Sequence, residues 1–151
     1  LRHTLDEVGA NYEIFSHTST IISAEDGVER GMGNLAAMAP ALVLETEKGP
    51  IVAIISGETR LSYKKIKKTL GLKNVSLAKP EVVLEQTGAQ VGTVSLVNLQ
   101  FPTLVDTQLT AADAVYGGCG VPCHTLRINP IDLIRVTSAN VFDFTEPKEP
   151  K

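Results

Sequence analysis

The sequence has 151 residues, 43% of them hydrophobic, which is enough to bury one core but not two. No apolar stretch approaches the roughly 20 residues that a membrane-spanning helix needs. The formal net charge of −3 excludes a protein that binds nucleic acid through overall positive charge. Cys119 and Cys123 are too few for a disulfide framework, so we expect a cytoplasmic protein. Because the first residue is not Met, we also expect residues before Leu1.

The first half of the chain predicts alternating helices and strands. Leu1, Leu5 and Val8 are spaced by about one helical turn, which predicts a helix that ends at Gly9. The later segments are a strand at 12–16, a helix from 23 to about 32, antiparallel strands at 41–44 and 51–55, and a helix at 61–70 that Gly71 ends.

The second half continues in the same way. It predicts a strand at 75–78, a helix from Pro80 closed by Gly88, strands at 103–106, 114–117 and 125–128, a helix at 130–137 and a closing strand at 140–144. The short runs of Val, Ile, Leu and Ala favour buried strands packed by helices. We therefore predict one mixed α/β (α+β) domain at residues 1–145 and a loose tail at 146–151.

Several short motifs occur in a fixed order along nearly the whole chain. They are H-T-S-T at 17–20 before S-A-E-D at 23–26, S-G-E-T-R-L at 56–61, L-A-K-P-E at 77–81, E-Q-T-G at 85–88, G-T-V-S at 92–95, L-V-D at 104–106, Y-G-G at 116–118 and P-I-D-L at 130–133. This order resembles that of the YbaK/prolyl-tRNA-editing family. The resemblance implies a mixed, partly rolled β-sheet surrounded by helices.

The resemblance also implies a function, namely hydrolysis of the ester bond of a mischarged aminoacyl-tRNA. It implies an enzyme that acts in trans, with small amino acids such as Ala, Ser or Cys as the candidate substrates. The expected partners are an aminoacyl-tRNA and, as a second candidate, a synthetase, and no cofactor is expected.

Two positions depart from the family's pattern. Family members carry a lysine, used in substrate binding and catalysis, just before the strand that corresponds to 41–44, and Pro40 stands in its place. Their glycine loop reads G-x-x-x-P, whereas Leu96 replaces that proline here. Two alternatives stay open: an active deacylase, with Lys48 or Lys79 as the substitute cation, and a catalytically silent module that binds aminoacyl-tRNA, a nucleotide or a small ligand.

An aminoacyl ester is already activated, so its hydrolysis needs mainly a positioned water and donors for the developing oxyanion. We expect the glycine loop to supply backbone N–H groups, with Gly92, Thr93 and Ser95 as catalytic residues; the alternative is a plain connector. Related editing domains have a pocket histidine where His124 falls, so His124 is expected to hold the substrate's amino group or ribose. The alternative is a strand histidine bonded to a neighbouring carbonyl.

The remaining pocket residues are predicted to bind the substrate. They are His17 at the pocket mouth, Pro40, Leu96, Asp106 at a strand end, and Gly117, Gly118 and Cys119 of a glycine-rich turn. An equally good interpretation of Asp106 is a cap on the turn at Thr107. A zinc site at Cys119, Cys123 and His124 lacks a fourth ligand and the usual paired spacing, so no metal is predicted.

One helix carries the only strong basic patch of this acidic sequence. Its members are Lys64, Lys65, Lys67 and Lys68. Phosphate contacts supply much of the affinity for nucleic acid, so we predict that this patch binds the acceptor stem of a tRNA. The alternative is a solvated helix face.

Overall fold

The structure is a computed structural model that describes residues 2–7, 9–16, 35–89, 94–120 and 124–147. The predicted helix at 23–32 lies outside these residues. No helix among those described is long and apolar enough to cross a membrane.

Ten strands and four helices make up most of the described chain. The strands are β1 (Tyr12–Ser16), β2 (Ala41–Thr46), β3 (Gly49–Ile54), β4 (Thr59–Leu61), β5 (Val75–Leu77), β6 (Thr103–Asp106), β7 (Val115–Gly117), β8 (His124–Ile128), β9 (Asn140–Phe142) and β10 (Thr145–Pro147). The helices are α1 (Arg2–Glu7), α2 (Tyr63–Leu70), α3 (Pro80–Thr87) and α4 (Pro130–Thr137).

The largest sheet is mixed, with five strands in the order β5-β2-β3-β6-β9. The β3–β6 and β6–β9 pairs are parallel, and the others are antiparallel. Three antiparallel strands form a second sheet, β1-β8-β7, and β10 pairs with β4. The predicted mixed α+β domain is thus confirmed. This topology brings the start of β2 and the ends of β3 and β6 to one edge of the large sheet.

Local chemistry explains where α2 begins and ends. The Ser62 side chain accepts a hydrogen bond from the Lys65 N–H, which satisfies one of the unpaired N–H groups of the first turn. Gly71 ends the helix with a φ of 67°, a left-handed conformation that favours glycine. Ile66 is buried, so this helix packs one face on the sheet.

The two faces of the large sheet pack against different apolar clusters. The Leu96 cluster includes Val52, Ile54 and Val105 of the sheet together with Leu96, Cys119, Leu126 and Ile128. The Phe144 cluster includes Ala53, Ile55 and Leu104 together with Ile66 and Phe144. Because side chains alternate along a strand, the cluster that a residue joins shows which face it occupies.

Four short elements were not predicted: β4, β10 and two 3-10 helices, at Leu35–Ala37 and Thr107–Ala111. Leu61 belongs to β4, so α2 begins at Tyr63 instead of position 61. Glu146 and Pro147 pair with Arg60 and Thr59, which corrects the predicted start of a loose tail at 146. Three-residue strands carry almost no alternation signal, and the partners are 86 residues apart in the Arg60–Glu146 contact.

Candidate functional site

The described end of the glycine loop, at Ser95 and Leu96, is joined to the glycine-rich turn by a backbone hydrogen bond. The Leu96 N–H donates to the Gly118 carbonyl at 2.9 Å, and Ser95 Oγ accepts from the Val97 N–H at 3.1 Å. The Leu96 N–H is therefore occupied and is not a donor for an oxyanion. The Leu96 side chain is fully buried, which corrects its prediction as a substrate contact, since it packs in the core.

The segment that holds Pro40 lies against β7. The Ala39 N–H donates to the Tyr116 carbonyl at 2.7 Å, and Met38 and Tyr116 form a parallel β-bridge. The Pro40 carbonyl accepts from the Ile55 N–H at 3.2 Å, just past the end of β3. Pro40 therefore lies at the sheet edge where β2 begins and β3 ends.

Gly117 sits where these segments meet. A Cβ atom at Gly117 would lie 2.7 Å from the Ala39 carbonyl oxygen and 2.7 Å from carbons of the Leu96 side chain. Real Cβ atoms do not make contacts this short, so the close approach requires glycine. We call the meeting of residues 38–40, 95–97 and 116–118 the Gly117 junction. It brings together the predicted residues Pro40, Ser95, Gly117 and Gly118.

The last glycine of the glycine-rich turn, Gly120, lies close to Ser95 of the glycine loop. Gly120 has a φ of 86°, and a Cβ atom there would lie 3.8 Å from the Ser95 Cβ. The side chain of Cys119, which precedes Gly120, is buried in the Leu96 cluster. Cys119 therefore packs in the core.

His124 begins β8 and is half-buried. It lies opposite Ser16 in the β1–β8 register, on the same face as Leu126 and Ile128. Leu126 and Ile128 both belong to the Leu96 cluster. The structure thus places His124 at a strand end, on the side of the small sheet that faces the Gly117 junction.

The Asp106 side chain lies on the face of the large sheet opposite to the Leu96 cluster. Leu104, two residues earlier on the same face of β6, belongs to the Phe144 cluster, which lies across the large sheet from Leu96. Asp106 Oδ2 accepts from the Thr145 hydroxyl at 2.7 Å, and Oδ1 has no hydrogen-bond partner within the described ranges. The structure therefore does not bring Asp106 to the junction. It occupies the N-cap position of the 3-10 helix, but without a side-chain capping bond.

Burial dominates the electrostatics of Asp106. The side chain is fully buried, and this loss of water raises the pKa of its carboxyl. The Thr145 hydroxyl acts in the opposite direction on that pKa, as does the nearby Gln108 N–H, which does not form a capping bond, but they do not cancel the effect of burial.

The buried Ser56 organises the segment before Pro40, and sequence reasoning missed this role. Its hydroxyl donates to the Ala36 carbonyl at 2.9 Å, while the neighbouring Gly57 N–H donates to the Met38 carbonyl at 2.7 Å. Thr59 closes the turn with a hydroxyl bond to the Ser56 carbonyl at 2.9 Å. The S-G-E-T spacing was a signal for this turn, because Ser and Thr hydroxyls often bond nearby backbone groups.

The four predicted tRNA-binding lysines differ in their surroundings. Lys65 Nζ lies 2.7 Å from the Thr145 carbonyl and 3.1 Å from Asp143 Oδ2. Lys64 and Lys68 are exposed, and Lys67 is half-buried. Lys65 thus links α2 to the segment around β10, and the tRNA-binding role of the patch stays a prediction.

Four residues named from the sequence lie outside the described residues: His17, Gly92, Thr93 and Cys123. Among the described residues, no group of three or more His, Cys, Asp or Glu side chains could hold a metal ion.

The fold is that of a small α+β domain, and its candidate site lies at the Gly117 junction. The family model of the aminoacyl-tRNA editing domain matches residues 18–136, and the chain belongs to this family. The YbaK-like resemblance seen in the sequence is thereby confirmed.

Similar proteins include synthetases and a solved editing protein. The proline–tRNA ligase of Aquifex aeolicus is 29% identical over 85% of this chain, and that of Moorella thermoacetica is 33% identical over 59%. The chain spans only 20% and 16% of the length of these two ligases. The crystal structure of a proposed trans-editing enzyme for prolyl-tRNA synthetase has a TM-score of 0.81 and 27% identity, with 89% of this chain and 87% of that chain covered.

The close contacts of Gly117 predict that Gly117→Ala destabilises the domain. The added methyl meets the Ala39 carbonyl and the Leu96 side chain, and overpacking of this kind costs about 1–3 kcal/mol. Urea denaturation measures the loss. In a double-mutant cycle with Leu96→Ala, we expect the two effects to be non-additive by about 0.5 kcal/mol or more. Wild-type stability of Gly117→Ala would contradict the observed contact.

The burial of Asp106 predicts an unusual dependence of stability on pH. The folded-state pKa of Asp106 is raised above the unfolded value, so its contribution is most favourable below the unfolded pKa and is lost as pH rises through the folded pKa. We expect the unfolding free energy of the wild type, relative to Asp106→Asn, to fall as pH rises from about 4, the ordinary aspartate range. Urea denaturation at several pH values gives this difference.

Asp143→Asn is the matched control, because hydrogen bonding by Lys65 lowers the pKa of Asp143. The contribution of the Asp143 carboxylate to the free energy of unfolding is present above the unfolded pKa and is lost as pH falls through the folded pKa. The slope of the wild-type-minus-variant difference should therefore have the opposite sign. Equal slopes for the two variants would exclude the assigned environment of Asp106.

Proposed function

We propose that this chain hydrolyses the ester bond between tRNA and a wrongly attached small amino acid such as alanine, serine or cysteine. The observation that carries the proposal is the Gly117 junction, in which three segments of an editing domain meet on the side of the small sheet that His124 occupies. The names of the similar proteins favour the prolyl system, so a prolyl-tRNA synthetase is the proposed partner enzyme.

The proposed chemistry uses an activated ester and a positioned water. Ser95 accepts one hydrogen bond from the loop itself, and a hydroxyl can also donate one to a ribose or a carbonyl oxygen. Because the Leu96 N–H is occupied, Gly92 and Thr93 are the proposed sources of backbone donors for the oxyanion. His124 is proposed to hold the substrate's amino group or ribose.

The cation missing at Pro40 needs a replacement in an active enzyme. Lys48 lies in the turn at the far end of β2, and at about 3.3 Å per residue that turn is about 20 Å from Pro40. Lys79 is nearer, because the preceding Ala78 N–H donates to the Val43 carbonyl at 2.9 Å. Ala78 also shares a cluster with Val94, the neighbour of Ser95. We therefore propose the exposed Lys79 as the substitute cation.

The function is tested with purified protein and a panel of tRNAs carrying alanine, serine, cysteine or proline. We expect faster ester hydrolysis than in buffer for at least one small amino acid, and a rate reduced roughly tenfold by Lys79→Gln, less than the 100-fold or more for a buried oxyanion donor. Lys48→Gln is the matched control and should retain the wild-type rate. Ester lifetimes equal to those in buffer across the whole panel would refute the deacylase proposal.

A second candidate is a silent module that binds the charged tRNA without cleaving it. Pro40 favours it, because a proline offers neither a cation nor an N–H group where the family has a lysine. Activity that appears only in Pro40→Lys would support this alternative.

The lysine patch predicts the salt dependence of tRNA binding. Replacing exposed Lys64 and Lys68 together by Gln should weaken binding and reduce the slope of log K against log salt by roughly 1–2, since each phosphate contact contributes about 0.7–0.9. Lys65→Gln is the control, because it loses the Asp143 and Thr145 contacts. We expect it to lower the unfolding midpoint with little change in slope. An unchanged slope in the double variant would remove the patch from the interface.

A further inference from the structure

A cavity lies on the outer face of the small β1-β8-β7 sheet. Tyr116 and Arg127 are opposite each other in the β7–β8 register, and both line the cavity. Their neighbours along the strands, Val115 and Leu126, belong to the Leu96 cluster. Because side chains alternate along a strand, Tyr116 and Arg127 lie on the other face of this sheet. The cavity is therefore separate from the Gly117 junction.

The cavity has the size of a small-molecule site and a wall that mixes small and polar side chains. Its volume is about 520 Å³. The small side chains keep the space open, and they are Ala36, Ala37, Ala111, Ala112 and Ala114. The larger side chains bring polar groups to the wall, and they are Gln108, Asp113, Tyr116 and Arg127. None of these four polar residues was named as a site residue from the sequence.

Most of the hydrogen-bonding capacity of this wall is not used within the protein. Arg127 contacts Glu13 through Nη1 at 3.3 Å, and its Nε and Nη2 bond to no other side chain of the described chain. No hydrogen bond joins the Tyr116 hydroxyl or the Asp113 carboxylate to another described residue. A guanidinium carries five N–H groups, so Arg127 keeps donors for a ligand beside its ion pair.

The Gln108 side chain adds an acceptor to the wall. The Thr145 hydroxyl gives its hydrogen to Asp106 at 2.7 Å, so Thr145 Oγ1 accepts at its 3.5 Å contact with Gln108 Nε2. That orientation leaves the Gln108 carbonyl oxygen for a ligand, where it accepts an N–H group. Each of the common nucleic-acid bases has an N–H group on its edge, so this acceptor fits a base without selecting among them.

Together the polar groups match the three parts of a nucleotide. A guanidinium binds a phosphate through parallel N–H bonds, and an aromatic ring is a platform for any base, because every base has a π-face. A carboxylate such as that of Asp113 accepts from ribose hydroxyls, as in dinucleotide-binding folds. An inorganic anion would use Arg127 alone and would leave most of the 520 Å³ empty.

We propose that this cavity binds a free mononucleotide, at a second site across the small sheet from the Gly117 junction. Arg127 holds the phosphate and Tyr116 stacks on the base. Asp113 accepts from the ribose hydroxyls, and Gln108 accepts from the edge of the base. This inference goes beyond the proposed function and does not depend on it, since no residue of the cavity belongs to the proposed deacylase site.

Isothermal titration calorimetry with AMP, CMP, GMP and UMP tests the phosphate contact. We expect at least one of them to bind the wild type, and its nucleoside, which lacks the phosphate, to bind about 10- to 100-fold more weakly, the effect of losing hydrogen bonds between charged groups. Arg127→Gln should weaken binding of the nucleotide by a similar factor and leave binding of the nucleoside unchanged. Glu13→Gln is the matched control, because it breaks the same ion pair but keeps the guanidinium. It should bind the nucleotide at least as tightly as the wild type.

The stacking role of Tyr116 is tested with the same ligands. Tyr116→Leu should weaken binding of the nucleotide roughly 5- to 100-fold, the effect of losing one aromatic platform. Tyr116→Phe keeps the ring and should bind as the wild type does. Thermal unfolding of each variant checks that it is folded.

Several outcomes overturn the inference. They are a wild type that binds none of these nucleotides at millimolar concentration, equal weakening by Arg127→Gln and Glu13→Gln, and full binding by Tyr116→Leu. Displacement of the nucleotide by an unacylated RNA hairpin that ends in CCA also overturns it, because the nucleotide would then occupy the RNA site. Hydrolysis of charged tRNA is measured separately, so the two proposals fail independently.

Discussion

The arrangement of the candidate site depends on one close backbone approach, at Gly117. The Ala39 carbonyl and the Leu96 side chain both come within 2.7 Å of the position that a side chain would occupy there. This approach allows the Leu96–Gly118 and Ala39–Tyr116 hydrogen bonds to hold three distant segments together. Backbone hydrogen bonds and the packing of Leu96 therefore position the start of β2, residues 95–97 and the glycine-rich turn.

Local signals allowed much of the fold to be predicted. The glycines after α2 and α3 marked where those helices stop, because the left-handed backbone conformation there favours glycine. The β2–β3 hairpin followed from two apolar runs around a turn. The β4–β10 pair did not, because strands of three residues have no readable period and their pairing is decided by tertiary contacts.

The candidate site was only partly readable from the sequence. The structure places the glycine-rich turn against the segment around Ser95, since Gly117 and Gly118 contact Leu96 and Gly120 lies near Ser95. The direction of a side chain was not readable, and Asp106 and Leu96 show this: one points across the sheet and the other into the core.

The contact between Thr145 and Asp106 has a consequence for motion. Thr145 belongs to a strand of only three residues, and it covers a carboxyl that burial keeps from water. When that strand detaches, the carboxyl gains solvent and ionises at its ordinary pKa, so detachment becomes easier as pH rises. The same strand holds Lys65 of α2 through the Thr145 carbonyl. Local opening at the end of the chain would therefore loosen the anchoring of the lysine helix, with the rest of the sheet intact.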